Sequence, residues 1–435
     1  MEVLKKIKTN IARDRALYII LAVSFLLRII FSVDNLKALF VDISSYEAYA
    51  LEIIRSGVFS VSAYHPPAYP FFIAGIYSIA GQSFLNVYIV QAFMGVCITY
   101  LIYLIACKVF NKHAGLYAAG ISLFYWSLTL YSGILLSEIL FIFLLLWGVF
   151  FLLKGLDSGK AGYFAVCAAF LGLSALTRSI NLLLLFVIPA VCIFISVAGS
   201  KFRWDCGLMR IGIKKVIVCI SVYMAVFCLV LSPWTIRNYI KYKAFIPVDT
   251  LGGVNLYIGN NPKAMGFFVD ISNDPLDNMG ENDYESDKIL KAAAIKYIIS
   301  HPVRFIFLTI WRAILFIVID FFCLDWVVLI YMKEHFLFGK CYILWIIFMM
   351  LCSITFYVCG LKGIRNLLKS WKGLILLGFI LYYFLLTSLF YIQSRYKLPV
   401  MPFLAVAAAE PAEKLLCRVK LKWDALKKPG SKNTI

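Results

Sequence analysis

The sequence predicts an all-α, polytopic transmembrane bundle of about ten spans, with juxtamembrane helices and one longer loop on its outer side. Three observations predict it. Of 435 residues, 63% are apolar and 15% charged, and the mean hydropathy is +0.88; globular averages are about 45–50% and about 25%. A soluble fold of this length has too little interior to hide that surplus. The apolar residues gather into runs near the ~20 residues that cross a bilayer core. Finally, the net charge of +19 sits on alternate connections: segments 1–15, 107–113, 154–160, 199–215, 361–372 and 410–435 hold 25 Lys/Arg and 7 Asp/Glu, and the remainder holds 17 and 16. A basic excess on one side of alternate spans is the positive-inside pattern. Charge here reports orientation and argues against a nucleic-acid partner.

The first span, 16–33, follows Lys5, Lys6, Lys8, Arg13 and Arg15, which places the amino terminus in the cytoplasm. It runs into loop chemistry without a small-residue cleavage site and is read as a span rather than a signal peptide. Residues 34–67 are polar and outer. Within them 46–55 has helical amphipathicity, apolar at Tyr46, Tyr49, Ala50, Ile53 and Ile54 with Glu47, Glu52 and Arg55 opposite. Segment 68–80 is apolar but too short to cross, hence interfacial or re-entrant.

Spans follow at 84–106, 114–136, 138–153, 161–176, 180–197 and 216–234. They return the chain to the outer side for the insert 237–304, rich in Gly, Asn and Asp, whose final third, 285–300, has helical spacing. Segment 305–332 is apolar yet carries Arg312, Asp320 and Asp325. The basic loop 361–372 is reached through span 342–360, so 305–332 is expected to begin and end outside, lying along the surface or dipping in and returning. Spans 373–391 and 397–409 lead to a cytoplasmic carboxyl terminus. The expected organisation is one transmembrane domain over 1–435, with a first outer loop 34–83, an outer insert and interfacial segment 237–340, and a basic tail 410–435. Most of the 12 cysteines lie in hydrophobic runs and no C-x-x-C pair occurs, so they read as small hydrophobes rather than a disulfide framework.

Ionisable groups at membrane depth are expensive and are functional candidates by default. Here they gather on the outer side as Asp42, Glu47, His65, Glu138, Arg178, Arg237, Arg395 and Lys397. Acids and bases converging above an apolar bundle suit a ligand with an anionic head and a long apolar tail. Asp42 is placed to act as a general base toward an attacking hydroxyl, or alternatively to cap the helix that starts near Ser44 or Ser45. Glu138 opens a span, where a carboxylate also favours the positive end of the helix. Pro66 and Pro67 force extended backbone and so aim His65 and Tyr69; a lone interfacial histidine is read as a hydrogen-bonding residue rather than a metal ligand, since the four histidines show no metal spacing. Arg178, Arg237 and Arg395 sit at outer span ends, where a guanidinium binds phosphate through its planar fork or snorkels to the interface. There is no Walker loop, no G-x-G-x-x-G and no G-x-S-x-G, hence no sign of a soluble nucleotide donor.

Taken together, the motifs resemble a family. Val41-Asp42-Ile43-Ser44-Ser45-Tyr46 leading to His65-Pro66-Pro67-Ala68-Tyr69-Pro70, Ser137-Glu138 opening a span, and Leu176-Thr177-Arg178 closing one are three of its marks. Others are Pro233-Trp234-Thr235-Ile236-Arg237-Asn238, the run from Gly252 to Pro262, and Arg395-Tyr396-Lys397-Leu398-Pro399. In this order they resemble the lipid-linked-sugar-dependent glycosyltransferases of the GT-C type, nearest the protein-mannosyltransferase-like and aminoarabinose-transferase-like bacterial group. The resemblance implies a polyprenyl-phosphate sugar donor, an acceptor hydroxyl on a glycan, lipid or protein, and inversion at the anomeric carbon outside the membrane.

It further implies Asp42 as catalytic base with Glu138 as second acid. His65, Tyr46, Tyr69, Arg178, Arg237, Arg395 and Lys397 would meet the donor's phosphate and lipid, and Asn255, Asn260 and Asn261 would lie on the outer loop. Two departures stand out. His65 occupies a position usually held by Lys or Arg, and Tyr64 stands where metal-dependent relatives carry Glu, so no metal site is assigned. The competing readings are a glycan polymerase or ligase using diphosphate-linked oligosaccharides, with essential residues between Arg237 and Arg304, and a lipid or glycan transporter. The lack of an internal repeat or paired broken helices weakens the transporter reading.

Overall fold

The computed structural model describes residues 2–32, 41–58, 61–198, 204, 206–271, 276, 280–318 and 342–426. In order, the helices are α1 (Glu2–Ser32), α2 (Val41–Ser56), α3 (Ala68–Ala80), α4 (Phe84–Val109), α5 (Lys112–Ser122), α6 (Trp126–Leu130), α7 (Glu138–Ser158), α8 (Ala161–Thr177), α9 (Leu184–Ala198) and α10 (Gly207–Arg210). There follow α11 (Gly212–Tyr242), α12 (Gly252–Gly259), α13 (Asp283–Ser300), α14 (Pro302–Val318), α15 (Tyr342–Leu367), α16 (Trp371–Leu389) and α17 (Met401–Leu426), with 3-10 turns at Tyr131–Gly133, Ser179–Leu183 and Ser394–Val400. Among the described residues the sole β feature is an isolated bridge between Phe267 and Ile392. The protein is an all-α, multi-pass membrane bundle.

Helix α7 is the axis of this bundle. Its side chains are apolar on every face and most are buried, as expected of a span enclosed by other spans. Small residues let the neighbours approach: Gly148 of α7 faces Leu171 and the Cys167 carbonyl of α8, Gly172 of α8 faces Val230 of α11, and Gly363 of α15 abuts the Ala407 carbonyl of α17. Such close backbone contact is the usual basis of helix association in lipid. Asp157, near the far end of α7, pairs with Lys108 of α4 at 3.1 Å and Lys372 of α16 at 2.8 Å. Glu138 and Asp157 therefore mark opposite ends of one helix, ~28 Å apart at 1.5 Å per residue. That spacing matches the ~30 Å hydrocarbon core.

Seven described helices are long and apolar enough to cross a membrane, or eight if α13 and α14, bent by 104°, form one span. This differs in detail from ten expected crossings. Helix α8 forms over the expected residues but is 17 residues long. The run expected to span 114–136 breaks after Ser122, and the 397–409 run opens as the 3-10 turn Ser394–Val400. Beyond the break after Ser122, the irregular segment before α7 is held by partners invisible to hydropathy. The Gln91 side-chain amide of α4 donates to the Ser132 and Ile134 carbonyls at 3.1 and 2.9 Å, and a Cβ on Gly133 would come within 2.8 Å of the Phe31 carbonyl. Non-helical backbone at membrane depth survives where protein groups satisfy it.

Of segment 305–332, residues 305–318 form most of α14, whose Phe316 packs edge-on against Phe384 of α16 at 5.4 Å; 319–332 lie outside the described residues. Helix α13 starts where Asn282 accepts from the Tyr284 and Glu285 amides, close to the start the sequence predicts.

Candidate active site

One end of the bundle carries the polar groups. Glu138, in the first turn of α7, is 1% exposed. Its Oε1 accepts from Arg178 Nη1 at 2.6 Å, and Arg395 Nε lies 3.9 Å away. The short turn at Ser158–Lys160 sends α8 back antiparallel to α7, and this returns Arg178 to the level of Glu138. Arg395 enters from the other side, on the 3-10 turn before α17, its Nε also donating to Gln393 Oε1 at 2.7 Å. The Tyr396 ring lies between the two guanidiniums, 5.2 Å from the Arg178 carbon and 5.8 Å from that of Arg395. Both side chains remain about a quarter exposed, 22% and 24%. Two partly exposed guanidiniums around one buried carboxylate form a cluster whose donors suit an anion.

The first outer loop meets this cluster. Tyr46 of α2 is buried with its ring 4.9 Å from His65 and 5.0 Å, edge-on, from Tyr69; Tyr49 and Tyr64 enclose His65 further, at 5.7 and 5.0 Å. The Tyr69 hydroxyl donates to Gln91 Oε1 at 2.8 Å. Gln91 in turn holds the Ser132 and Ile134 carbonyls, so Tyr69 is tied to the segment that delivers Glu138. Burial, with the charges of Tyr88, Tyr46 and Glu138, pushes the Tyr69 hydroxyl well up, which keeps it a donor across the working range. Arg178 feels the charge of Tyr46 as well as those of Glu138 and Arg395. Asp42 falls in the first turn of α2, one turn before Tyr46; its side chain lies outside the described residues.

Of the remaining sequence candidates, Arg237, Lys397, Asn260 and Asn261 are held by other partners. Arg237, 3% exposed in α11, donates to the Val58 carbonyl at 3.1 Å, to Asn238 Oδ1 at 2.9 Å and to the Val61 carbonyl, with its guanidinium 4.5 Å from the Trp234 ring centre. It holds the loop that leads to His65. Lys397, 1% exposed, reaches toward the Ile317 carbonyl at 3.5 Å between the rings of Phe316 and Tyr357. Asn260 donates to the Leu256 and Leu389 carbonyls at 2.9 and 3.1 Å, and Asn261 to those of Tyr257 and Ile258 at 2.8 and 3.2 Å; both close the end of α12. Asn255 is linked to the cluster: it accepts from the Tyr391 hydroxyl at 3.2 Å, which accepts from Tyr396 at 2.8 Å.

Sequence reasoning noted Arg312 only as a charge within an apolar segment, and it passed over Arg28 and Asp249. Arg312 is buried, its guanidinium on the Gly259 carbonyl, Asn260 Oδ1 and the Leu389 carbonyl. Arg28, buried in α1, donates to the Ser24 carbonyl at 3.0 Å and lies against Gly95. Asp249, in the connection between α11 and α12, sits close enough to Arg178 to feel its charge. Burial, against hydrogen bonds from Ser179 and the Leu251 amide, pushes its carboxyl up to about 6. Nothing around Asp249 in the sequence marks it, since Val248-Asp249-Thr250 carries no motif. Among the described residues no group of three His, Cys, Asp or Glu side chains is arranged to hold a metal ion.

Residues 64–235, less than half of the chain, match the family model described as dolichyl-phosphate-mannose-protein mannosyltransferase. No curated protein sequence matches. Among solved structures, the oligosaccharyltransferase AglB from Archaeoglobus fulgidus, in complex with an inhibitory peptide and a dolichol-phosphate, superposes with a TM-score of 0.55 at 14% identity, over 98% of this chain and 53% of that one. ArnT from Cupriavidus metallidurans, bound to undecaprenyl phosphate, superposes with a TM-score of 0.53 at 12% identity, over 90% of this chain and 59% of that one.

The chain has the GT-C fold. It spans little more than half the length of either relative, so the likeness concerns the membrane bundle and its outer edge. Within a GT-C bundle the Glu138, Arg178 and Arg395 cluster occupies the end where the first outer loop, the α11–α12 connection and the turn before α17 converge.

Proposed function

We propose that this protein transfers a sugar from a polyprenyl-phosphate donor to an acceptor hydroxyl at the extracytoplasmic edge of the membrane, with inversion. The observation that carries the reading is the pair of quarter-exposed arginines around Glu138, set in a GT-C fold, with Tyr46 near enough to Arg178 to act on its charge and itself packed on His65. In this reading Arg178 and Arg395 hold the donor phosphate. Glu138 keeps the two cations apart and aimed before the phosphate arrives. Asp42, one turn ahead of Tyr46, takes the proton from the acceptor hydroxyl as its oxygen forms the new bond to the anomeric carbon. The bond from that carbon to the phosphate oxygen breaks on the opposite face, and polyprenyl phosphate leaves with its added negative charge stabilised by the guanidiniums. His65, Tyr46 and Tyr69 line the approach; Arg237 and Lys397 act from behind, by holding the loop and the turn before α17.

The test is transfer from a labelled undecaprenyl-phosphate sugar by protein reconstituted in lipid. Asp42→Asn is expected to fold, to bind undecaprenyl phosphate as the parent does, and to lose transfer by about 10²-fold or more. Transfer at the parental rate removes Asp42 as the base.

A further inference from the structure

Sharing no residue with the Glu138 cluster, a groove of about 440 Å³ lies between the first three turns of α14 and the loop after α12, walled by Ala264, Met265, Arg304, Phe307, Leu308 and Trp311. That volume falls within the ~300–1,000 Å³ of small-molecule sites. Gly266, at φ +96°, turns the loop onto α14, so close that a Cβ there would lie 2.9 Å from the Trp311 ring. The Gly266 carbonyl accepts from the Ile392 amide at 2.9 Å, which fixes the other side of the loop. Arg304 Nη2 donates to the Pro262 and Ala264 carbonyls at 2.9 and 3.3 Å. Among the described residues its hydrogen bonds use that one nitrogen, which leaves Nε and Nη1 as donors.

The wall is apolar apart from Arg304 and holds no carboxylate. A guanidinium at its head suits an anion, and the apolar floor suits hydrocarbon. The apolar surface continues past the groove, because Phe307, Trp311 and Ile314, spaced i, i+4 and i+7, form one exposed stripe of α14. The direction of that stripe follows from α16. Lys372, near the start of α16, pairs with Asp157 at the far end of α7, and Tyr383 packs on Phe141, one turn from Glu138. Leu389, the last residue of α16, therefore stands at the Glu138 end. Arg312 donates to the Leu389 carbonyl at 3.3 Å, and Phe316 packs on Phe384, five residues further in. Helix α14 thus runs inward from Arg304, with the cation at the end of a span and the stripe leading down beside it. A cation at that level, a tryptophan at the interface and an exposed apolar track below are complementary to a membrane phospholipid.

We propose that this groove binds an anionic phospholipid of the bilayer, its phosphate on Arg304 and one acyl chain along Phe307, Trp311 and Ile314. A net anionic headgroup is favoured over a zwitterionic one. The wall offers no carboxylate to an ammonium, and exposed Lys263 adjoins Ala264 in the loop. The inference does not depend on the transferase reading, since this lipid is held and not consumed.

The test is photolabelling of the full chain in phosphatidylcholine nanodiscs that contain a trace of phosphatidylglycerol with a diazirine on its acyl chain, the labelled peptides being read by mass spectrometry. Label is expected within residues 303–314, and unlabelled phosphatidylglycerol is expected to compete it away. Arg304→Gln is expected to cut the label by about fivefold or more. Phe307→Glu changes an exposed position and leaves the Arg304 bonds to the loop in place; it is expected to do the same by setting a carboxylate against the phosphate. Lys296→Gln, an exposed charge on α13 outside the groove, is expected to leave the label unchanged. Label absent from 303–314, or undiminished in either of the first two variants, overturns the proposal. So does competition by sn-glycerol 1-phosphate as strong as that by phosphatidylglycerol, which marks a phosphate site, or by undecaprenyl phosphate, which marks part of the donor site. No sugar transfer is measured, so failure here leaves the transferase reading standing.

Discussion

The pairing of Glu138 with Arg178 is open to a thermodynamic test. Glu138→Gln keeps the shape and removes the charge. The carboxylate is 2% exposed, and it loses one contact at 2.6 Å and another at 3.9 Å. Breaking a buried pair by removing one partner costs about 3–5 kcal/mol. The guanidinium ends are about a quarter in solvent, which places this case at the low end, about 3 kcal/mol, or roughly two orders of magnitude in the unfolding equilibrium. Arg178→Met is expected to cost a similar amount, since it leaves Glu138 with only the longer contact. If the two act as a pair, the double variant is less destabilised than the sum of the single ones by about 2 kcal/mol.

Equilibrium denaturant unfolding in mixed micelles measures all three variants. Additivity within about 0.5 kcal/mol refutes the pairing. The same Glu138→Gln protein, freed of the negative charge between its arginines, is expected to bind undecaprenyl phosphate several-fold tighter, so stability and affinity should move in opposite directions.

Arg395→Ala leaves the shorter Arg178 contact intact; it is expected to cost under about 1 kcal/mol of stability and about 10²-fold in turnover with a lipid-phosphate donor, read as kcat against the melting temperature. Asp249 gives a pH signature. Its folded carboxyl titrates near 6 and the ordinary value is 3.8, so the folded state retains a proton that the unfolded chain has released. That contribution is present in full below about pH 4, is lost as pH rises through 6, and amounts to about 3 kcal/mol. Asp249→Asn is expected to flatten the decline and to melt above the parent at pH 7.5; an unchanged pH profile would exclude the buried charge. Gly363→Ala drives a methyl into the Ala407 carbonyl and is expected to destabilise by about 1–3 kcal/mol, with parental melting counting against the close contact of α15 and α17.

Much of this architecture was legible in the residues. The runs of apolar residues, the charge asymmetry and the short segments at 46–55 and 68–80 foretell the bundle and its outer loop, because crossing a bilayer constrains composition directly. Legibility stopped where a polar side chain's role depends on distant partners. Arg178, Arg237 and Arg395 look alike at span ends, yet one meets Glu138 across 40 positions while another is turned onto the Val58 carbonyl 179 positions away. The irregular segment before α7 was hidden for the same reason, since Gln91 on another helix satisfies its Ser132 and Ile134 carbonyls. Asp249 was silent because its unusual property is burial beside Arg178, a neighbour 71 positions away that no local motif marks.

Helix α7 is pinned at both extremities, by Arg178 and Arg395 at Glu138 and by Lys108 and Lys372 at Asp157. A rod fastened at its two tips neither slides nor tilts independently of the helices that clasp it. Any widening that admits a bulky headgroup must therefore come from pieces hung around this mast, such as the α2 arm or the bent α13–α14 elbow. Under the transferase reading proposed above, strain from an entering lipid would be felt at the periphery while the charged rim keeps its register.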